Sequence, residues 1–121
     1  EAVVQGLTSH IVRLRQRYVE GGGGDEATAI LLPLSIASTI PLLRGVQRLL
    51  GRPPLSHSDA VILDVGEQLK LDLQGLLDVW LLKRGQISPG PHEVPRLFDR
   101  YLQATILVAR AVEQLPQLEP R

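Results

Sequence analysis

With 121 residues, the chain is long enough for one domain whose folding hides roughly two-thirds of the surface that the unfolded chain exposes, so a core can form without staples. Its 13 Lys and Arg balance 13 Asp and Glu, which excludes the overall positive footprint of a dedicated nucleic-acid binder and leaves any such role to a local patch. Cysteine is absent, which excludes disulfides and thiolate chemistry and agrees with a cytoplasmic setting. With no methionine even at position 1, residues 1–121 read as a single domain within a longer gene product, with room for a catalytic domain upstream.

The first helix is expected over Ala2–Glu20, where Val4, Leu7, Ile11, Leu14 and Tyr18 recur at alternating spacings of three and four and form one apolar stripe. Arg13, Arg15 and Arg17 interrupt this segment, so it lacks the apolar centre of a signal peptide. The glycine run at residues 21–24 stops the helix, because four glycines gain too much backbone freedom on unfolding to stay helical. Asp25 is the expected N-cap of a second helix, from about residue 26 to residue 50, that ends at Gly51 and is sealed by Pro53 and Pro54.

Residues 27–43 carry no charge, and so apolar a run is expected to form a central helix hidden on nearly all sides. It is shorter than the approximately 20 apolar residues that span a bilayer, and it contains Thr28, Ser35, Ser38 and Thr39 besides two prolines, so no membrane span is expected. Pro33 and Pro41 lack the amides that would bond the carbonyls of Ala29 and Ala37. Two kinks or one break should follow, with the freed carbonyls met by nearby Ser or Thr hydroxyls or by water.

A third helix is expected to begin at Ser58 or Asp59 and continue to about Leu69, burying Val61, Ile62, Val65 and Leu69. Asp72 can cap a fourth over residues 73–84, whose Leu73, Leu76, Leu77, Trp80 and Leu81 form a wide apolar face and whose Lys83 and Arg84 suit its negative end. After a loop rich in Pro and Gly, a fifth helix over about residues 93–115 carries Phe98, Tyr101, Thr105, Val108, Val112 and Leu115 on one stripe, with Pro95 in its first turn and Pro116 closing it. The result is an all-α, antiparallel bundle of about five helices around a kinked central one. Tyr18, Trp80, Phe98 and Tyr101 are expected in the core or at its edge. The carboxylate pairs Asp59 with Asp64 and Asp72 with Asp78 read as caps or solvated helix positions, and His10, His57 and His92 as exposed residues without metal-ligand spacing.

Residues 13–21 (RLRQRYVEG), 34–54 (LSIASTIPLLRGVQRLLGRPP) and 97–104 (LFDRYLQA) resemble the helical C-terminal region of bacterial proteins that carry a nucleotidyltransferase domain, which is akin to substrate-binding and HEPN-type helical bundles. In that family a basic helix ending in tyrosine precedes a long helix with small hydroxyl residues, an arginine and a glycine-proline exit, and a final amphipathic helix carries a tyrosine. The resemblance implies a substrate-binding or dimer-forming role beside an upstream nucleotidyltransferase domain. The chain departs from that pattern at Pro33, Pro41 and the glycine run. It contains no Gly-Ser turn with paired aspartates, so no metal site, cofactor or catalytic residue is expected in it. Some HEPN-type domains are ribonucleases with an Arg followed a few residues later by His. Arg52 and His57 meet that spacing, but Pro53 and Pro54 place them in a loop where they cannot converge on a phosphate from one helix face.

The candidate site is electrostatic. Arg13 and Arg17 lie one helical turn apart, as do Arg44 and Arg48, with Arg52 at the exit of the second helix. In a hairpin turning at residues 21–24 the two groups fall toward opposite ends. Each is either a solvated surface group or a grip for a phosphorylated or acidic ligand. The functional expectation is a non-catalytic, cytoplasmic helical module that homodimerises. Its rivals are a free-standing homodimeric interaction module and a HEPN-type ribonuclease.

Overall fold

The computed structural model describes residues 2–22 and 24–118, with side chains through Leu115. Five helices and no strand form among them: α1 (Ala2–Glu20), α2 (Asp25–Leu49), α3 (Ser58–Leu69), α4 (Gln74–Lys83) and α5 (Val94–Leu118). The all-helical bundle expected from the apolar periodicity is therefore present. Gly24, not Asp25, takes the N-cap position of α2, which leaves Asp25 and Glu26 in the first turn beside the positive end of the helix dipole. The Asp72 carboxylate accepts the Gln74 amide at 3.0 Å ahead of α4. Gly51 and Gly85, at φ of 69° and 72°, supply the left-handed residue after α2 and α4. Pro116 does not close α5, which continues to Leu118; so near the end of a helix a proline forfeits little.

Helices α1 and α2 run in opposite directions: Gly6 approaches Leu42, Gly45 approaches Val3, and Gly21 approaches Ala27. Helix α2 packs against each of the other four helices and is the axis of the bundle. Its Leu32, Ile36, Leu43 and Val46 meet Leu7 and Leu14 of α1, Val61 and Val65 of α3, Leu76 and Val79 of α4, and Val108 and Val112 of α5 in one aliphatic core. Tyr18 stacks on Phe98 with ring centroids 4.1 Å apart, tying α1 to α5. Helices α4 and α5 approach closely at Gly75, where even a methyl group would sit 2.5 Å from the Arg100 carbonyl oxygen.

Two expectations about α2 are corrected. The helix passes unbroken through Pro33 and Pro41, so the alternative of a break is set aside, and neither freed carbonyl takes a hydroxyl from a described Ser or Thr: the Thr39 hydroxyl donates instead to the Ser35 carbonyl. Ala37 and Pro41 lie on the solvent side, where water can serve the carbonyl. Nor is the helix hidden on nearly all sides. By length and composition it is apolar enough to cross a membrane, yet less than half of its most apolar window is buried. Ile30 is 63% and Leu34 60% exposed, and Ala27, Ala37 and Pro41 continue the same outward stripe. The other four helices surround only part of this 25-residue axis.

Candidate functional site

Between α1 and α2 lies a cleft of about 80 Å³ lined by His10, Arg13, Arg17, Leu34, Ser35 and Ser38, among others. The antiparallel hairpin creates it: the turn after α1 folds the second half of that helix against the first half of α2, and spacings of three and four then aim His10, Arg13 and Arg17 to the α2 side.

The inner wall of the cleft is a buried polar cluster in an otherwise aliphatic core. His10 Nε2 stands 3.1 Å from Ser35 Oγ and 2.8 Å from Thr39 Oγ1. The Tyr101 hydroxyl, from α5, stands 2.7 Å from each of the same two oxygens. Thr39 also donates to the Ser35 carbonyl at 3.0 Å. Counting protons assigns the ring. Three hydroxyl protons cannot fill five contacts, but a proton on Nε2 completes the set: Thr39 donates to the carbonyl, Tyr101 to Thr39, Ser35 to Tyr101, and His10 shares its N–H between Thr39 and Ser35. Nδ1 is then a bare acceptor. It has no partner among the described residues, and since no fully buried side-chain nitrogen or oxygen among them lacks one, Nδ1 keeps some solvent exposure on a residue that lines the cleft.

The electrostatics follow from this placement. Burial, reinforced by the charges of Arg13 and Arg17, holds the His10 imidazole below its usual 6.5, so it is neutral at physiological pH. Burial pushes the Tyr101 phenol up to about 12, against the pull of its hydrogen bonds with Ser35 and Thr39. Arg13 and Arg17 are exposed at the mouth and make no ion pair or hydrogen bond with described residues. Among the described residues no carboxylate lines the cleft.

The other three arginines lie elsewhere. Arg44, Arg48 and Arg52 border a separate hollow of about 250 Å³ with Gln47 and Pro54, so the fold does not bring the two groups together. Arg44 donates to the carbonyls of Leu55 and Ser56 and thereby holds the loop after α2. Arg52 pairs with Asp64 at 3.0 Å, and Gln47 donates to the same carboxylate at 2.8 Å. Asp64 is thus an ion-pair partner rather than a solvated position or cap, and these contacts hold its carboxyl below the ordinary range. His57 is exposed at the N-cap position of α3, while the Arg52 guanidinium is committed to Asp64. Among the described residues no group of three or more His, Asp or Glu could hold a metal ion.

His10 is the residue that sequence reasoning misplaced: it is 6% exposed. The signal was there, because position 10 falls between Leu7, Ile11 and Leu14 on the apolar stripe. Ser35 and Thr39, four apart in an uncharged run, mark the opposing side. Comparison with known protein families, with curated proteins and with solved structures finds no match for this chain, so the family resemblance rests on the three segments that carry it.

Proposed function

We propose that this chain is a non-catalytic, cytoplasmic helical module that self-associates through α2, as the dimer-forming or substrate-binding part of a nucleotidyltransferase-like protein. The observation that carries the reading is the outward stripe of α2, in which Ala27, Ile30, Leu34, Ala37 and Pro41 present four turns without a charge. The stripe is bounded by Glu26 at one end and exposed Arg48 at the other. A second copy of α2 laid antiparallel and centred on Ala37 would bring residue 26 opposite residue 48, which sum to twice 37, and Ile30 opposite Arg44, whose guanidinium is turned to the carbonyls of Leu55 and Ser56. The match is self-complementary, as a two-fold interface requires, and the small Ala37 side chain on the axis permits close approach. Insertion of α2 into a bilayer is the poorer account, because its other side is the core of the bundle.

The apolar stripe is roughly 21 Å long by the rise of an α-helix, about 33 Å with its charged ends, and about one helix wide, at the low end for a stable interface, so dimerisation in the micromolar range is expected. Sedimentation velocity of the whole chain should show a concentration-dependent dimer. Ala37→Glu should abolish it; Arg48→Glu should weaken it; Arg48→Glu with Glu26→Arg should restore it. A monomer at tens of micromolar, or liposome binding by the monomer in its place, refutes the proposal.

A further inference from the structure

The cleft between α1 and α2 adjoins the stripe through which α2 pairs and shares Leu34 with it, but its chemistry comes from other side chains. We infer that it is a binding site for a tetrahedral oxyanion, inorganic phosphate or the phosphate of a monoester, held by Arg13 and Arg17 at the mouth with one protonated oxygen donating to His10 Nδ1 at the inner wall. Three observations converge on this ligand. Both guanidinium groups are unengaged by described residues, unlike those of Arg44, Arg52 and Arg100, which are committed to carbonyls or carboxylates. Among the described residues the cleft holds no carboxylate to repel an anion. His10 is more than nine-tenths buried, and its Nε2 proton is committed to Thr39 and Ser35, so Nδ1 faces the cleft as an acceptor wanting a proton.

Size and proton count narrow the class. At about 30 Å³ for each water in the liquid, a volume of about 80 Å³ takes two or three waters, which suits one oxyanion head and leaves a nucleoside or sugar outside. Two arginines and a bare Nδ1 call for negative charge and a donor in one small group. A simple carboxylate has the charge without the proton, whereas hydrogenphosphate has both. Ser38, which also lines the cleft, adds a hydroxyl able to donate to a second oxygen.

Proton linkage follows from the groups facing His10. On its own helix these are Arg13 and Arg17; from α2 they are the hydroxyls of Ser35 and Thr39; from α5 it is the phenol of Tyr101, which stays neutral through the physiological range. An anion between the arginines offsets the charges that disfavour imidazolium. Protonation then occurs at Nδ1, facing the anion, and leaves the Nε2 hydrogen bonds intact. Inorganic phosphate brings its own proton. Sulfate brings none and must recruit one to His10, while a monoester, whose second pKa is near 6, lies between them.

The test is calorimetric titration of the purified chain with inorganic phosphate, methyl phosphate and sulfate, with the His10 ring nitrogens followed by NMR. At about pH 8 phosphate should bind saturably, and sulfate at least about 30-fold more weakly, the factor set by protonating a group whose pKa lies below 6.5. Sulfate and methyl phosphate should tighten as pH falls toward 6, which separates a free-phosphate site from a monoester site by their slopes. Arg13→Gln with Arg17→Gln, both exposed and safe for folding, should weaken phosphate binding by at least about tenfold. The ring should be protonated on Nε2 without ligand and gain a proton on Nδ1 when sulfate binds. Because Leu34 belongs to both surfaces, the titrations are repeated with the monomeric Ala37→Glu chain. There, absence of saturable phosphate binding, binding indifferent to the arginines, equal affinity for phosphate and sulfate at pH 8, or a ring protonated on Nδ1 alone would each overturn the inference while leaving dimerisation through α2 untouched.

Discussion

Replacing Thr39 by Val tests the proton assignment in the buried cluster, because valine keeps the shape of threonine and deletes only Oγ1. That oxygen takes part in three of the five contacts: it accepts from His10 and Tyr101, donates to the Ser35 carbonyl, and links both partners across three helices. Without it, Ser35 alone must serve His10 at 3.1 Å and Tyr101 at 2.7 Å, and its own proton must turn back to the carbonyl four residues earlier. Three hydrogen bonds are lost at about 0.5–1.5 kcal/mol each, so Thr39→Val should destabilise by about 2–4 kcal/mol. Tyr101→Phe breaks two, with the Ser35 proton turned to the same carbonyl, and should cost about 1–3 kcal/mol. In a chain of this size each kcal/mol lowers Tm by about 3–6 °C, so circular dichroism melts compare the two variants. The double variant should cost less than the sum, since both single variants break the same Thr39–Tyr101 bond. A Tyr101→Phe penalty larger than that of Thr39→Val, or strict additivity, would refute the hydrogen-bond assignment and with it the bare Nδ1.

Gly75→Ala should destabilise by about 1–3 kcal/mol despite the better helix propensity of alanine, because the added carbon meets rigid backbone at Arg100 and Tyr101; Gly6→Ala, which meets only the flexible end of Leu42, should cost less, and urea denaturation ranks them. Stability should fall as pH drops below 6.5 in buffers free of oxyanions. The His10 pKa is depressed on folding, so the unfolded chain binds its proton more readily; the contribution is complete above 6.5 and is lost as pH falls through the folded value. Denaturant midpoints at about pH 7.5 and pH 5.5 should show this loss, and His10→Gln should flatten it; an unchanged profile in that variant would assign the loss to another group.

The five helices were legible because their signals are local. Apolar residues three and four apart define α1 and α5, and the glycine run, Gly51 and Gly85 stop helices through backbone freedom that needs no tertiary partner. The separation of Arg13 and Arg17 from Arg44 and Arg48 also followed from hairpin geometry alone. Burial of His10 was harder to read, since a histidine looks like a surface residue until Ser35, Thr39 and Tyr101 arrive from two other helices to satisfy it. Asp64 likewise became an ion-pair partner only when α3 was set beside Arg52. The exposed stripe of α2 is the plainest case. An uncharged run has no polar face to show which side looks outward, so hydropathy could say that residues 27–43 seek cover but not which side the other helices leave bare. The packing of α1, α3, α4 and α5 around α2 made that choice, burying Leu32, Ile36 and Leu43 and leaving Ile30 and Leu34 in solvent.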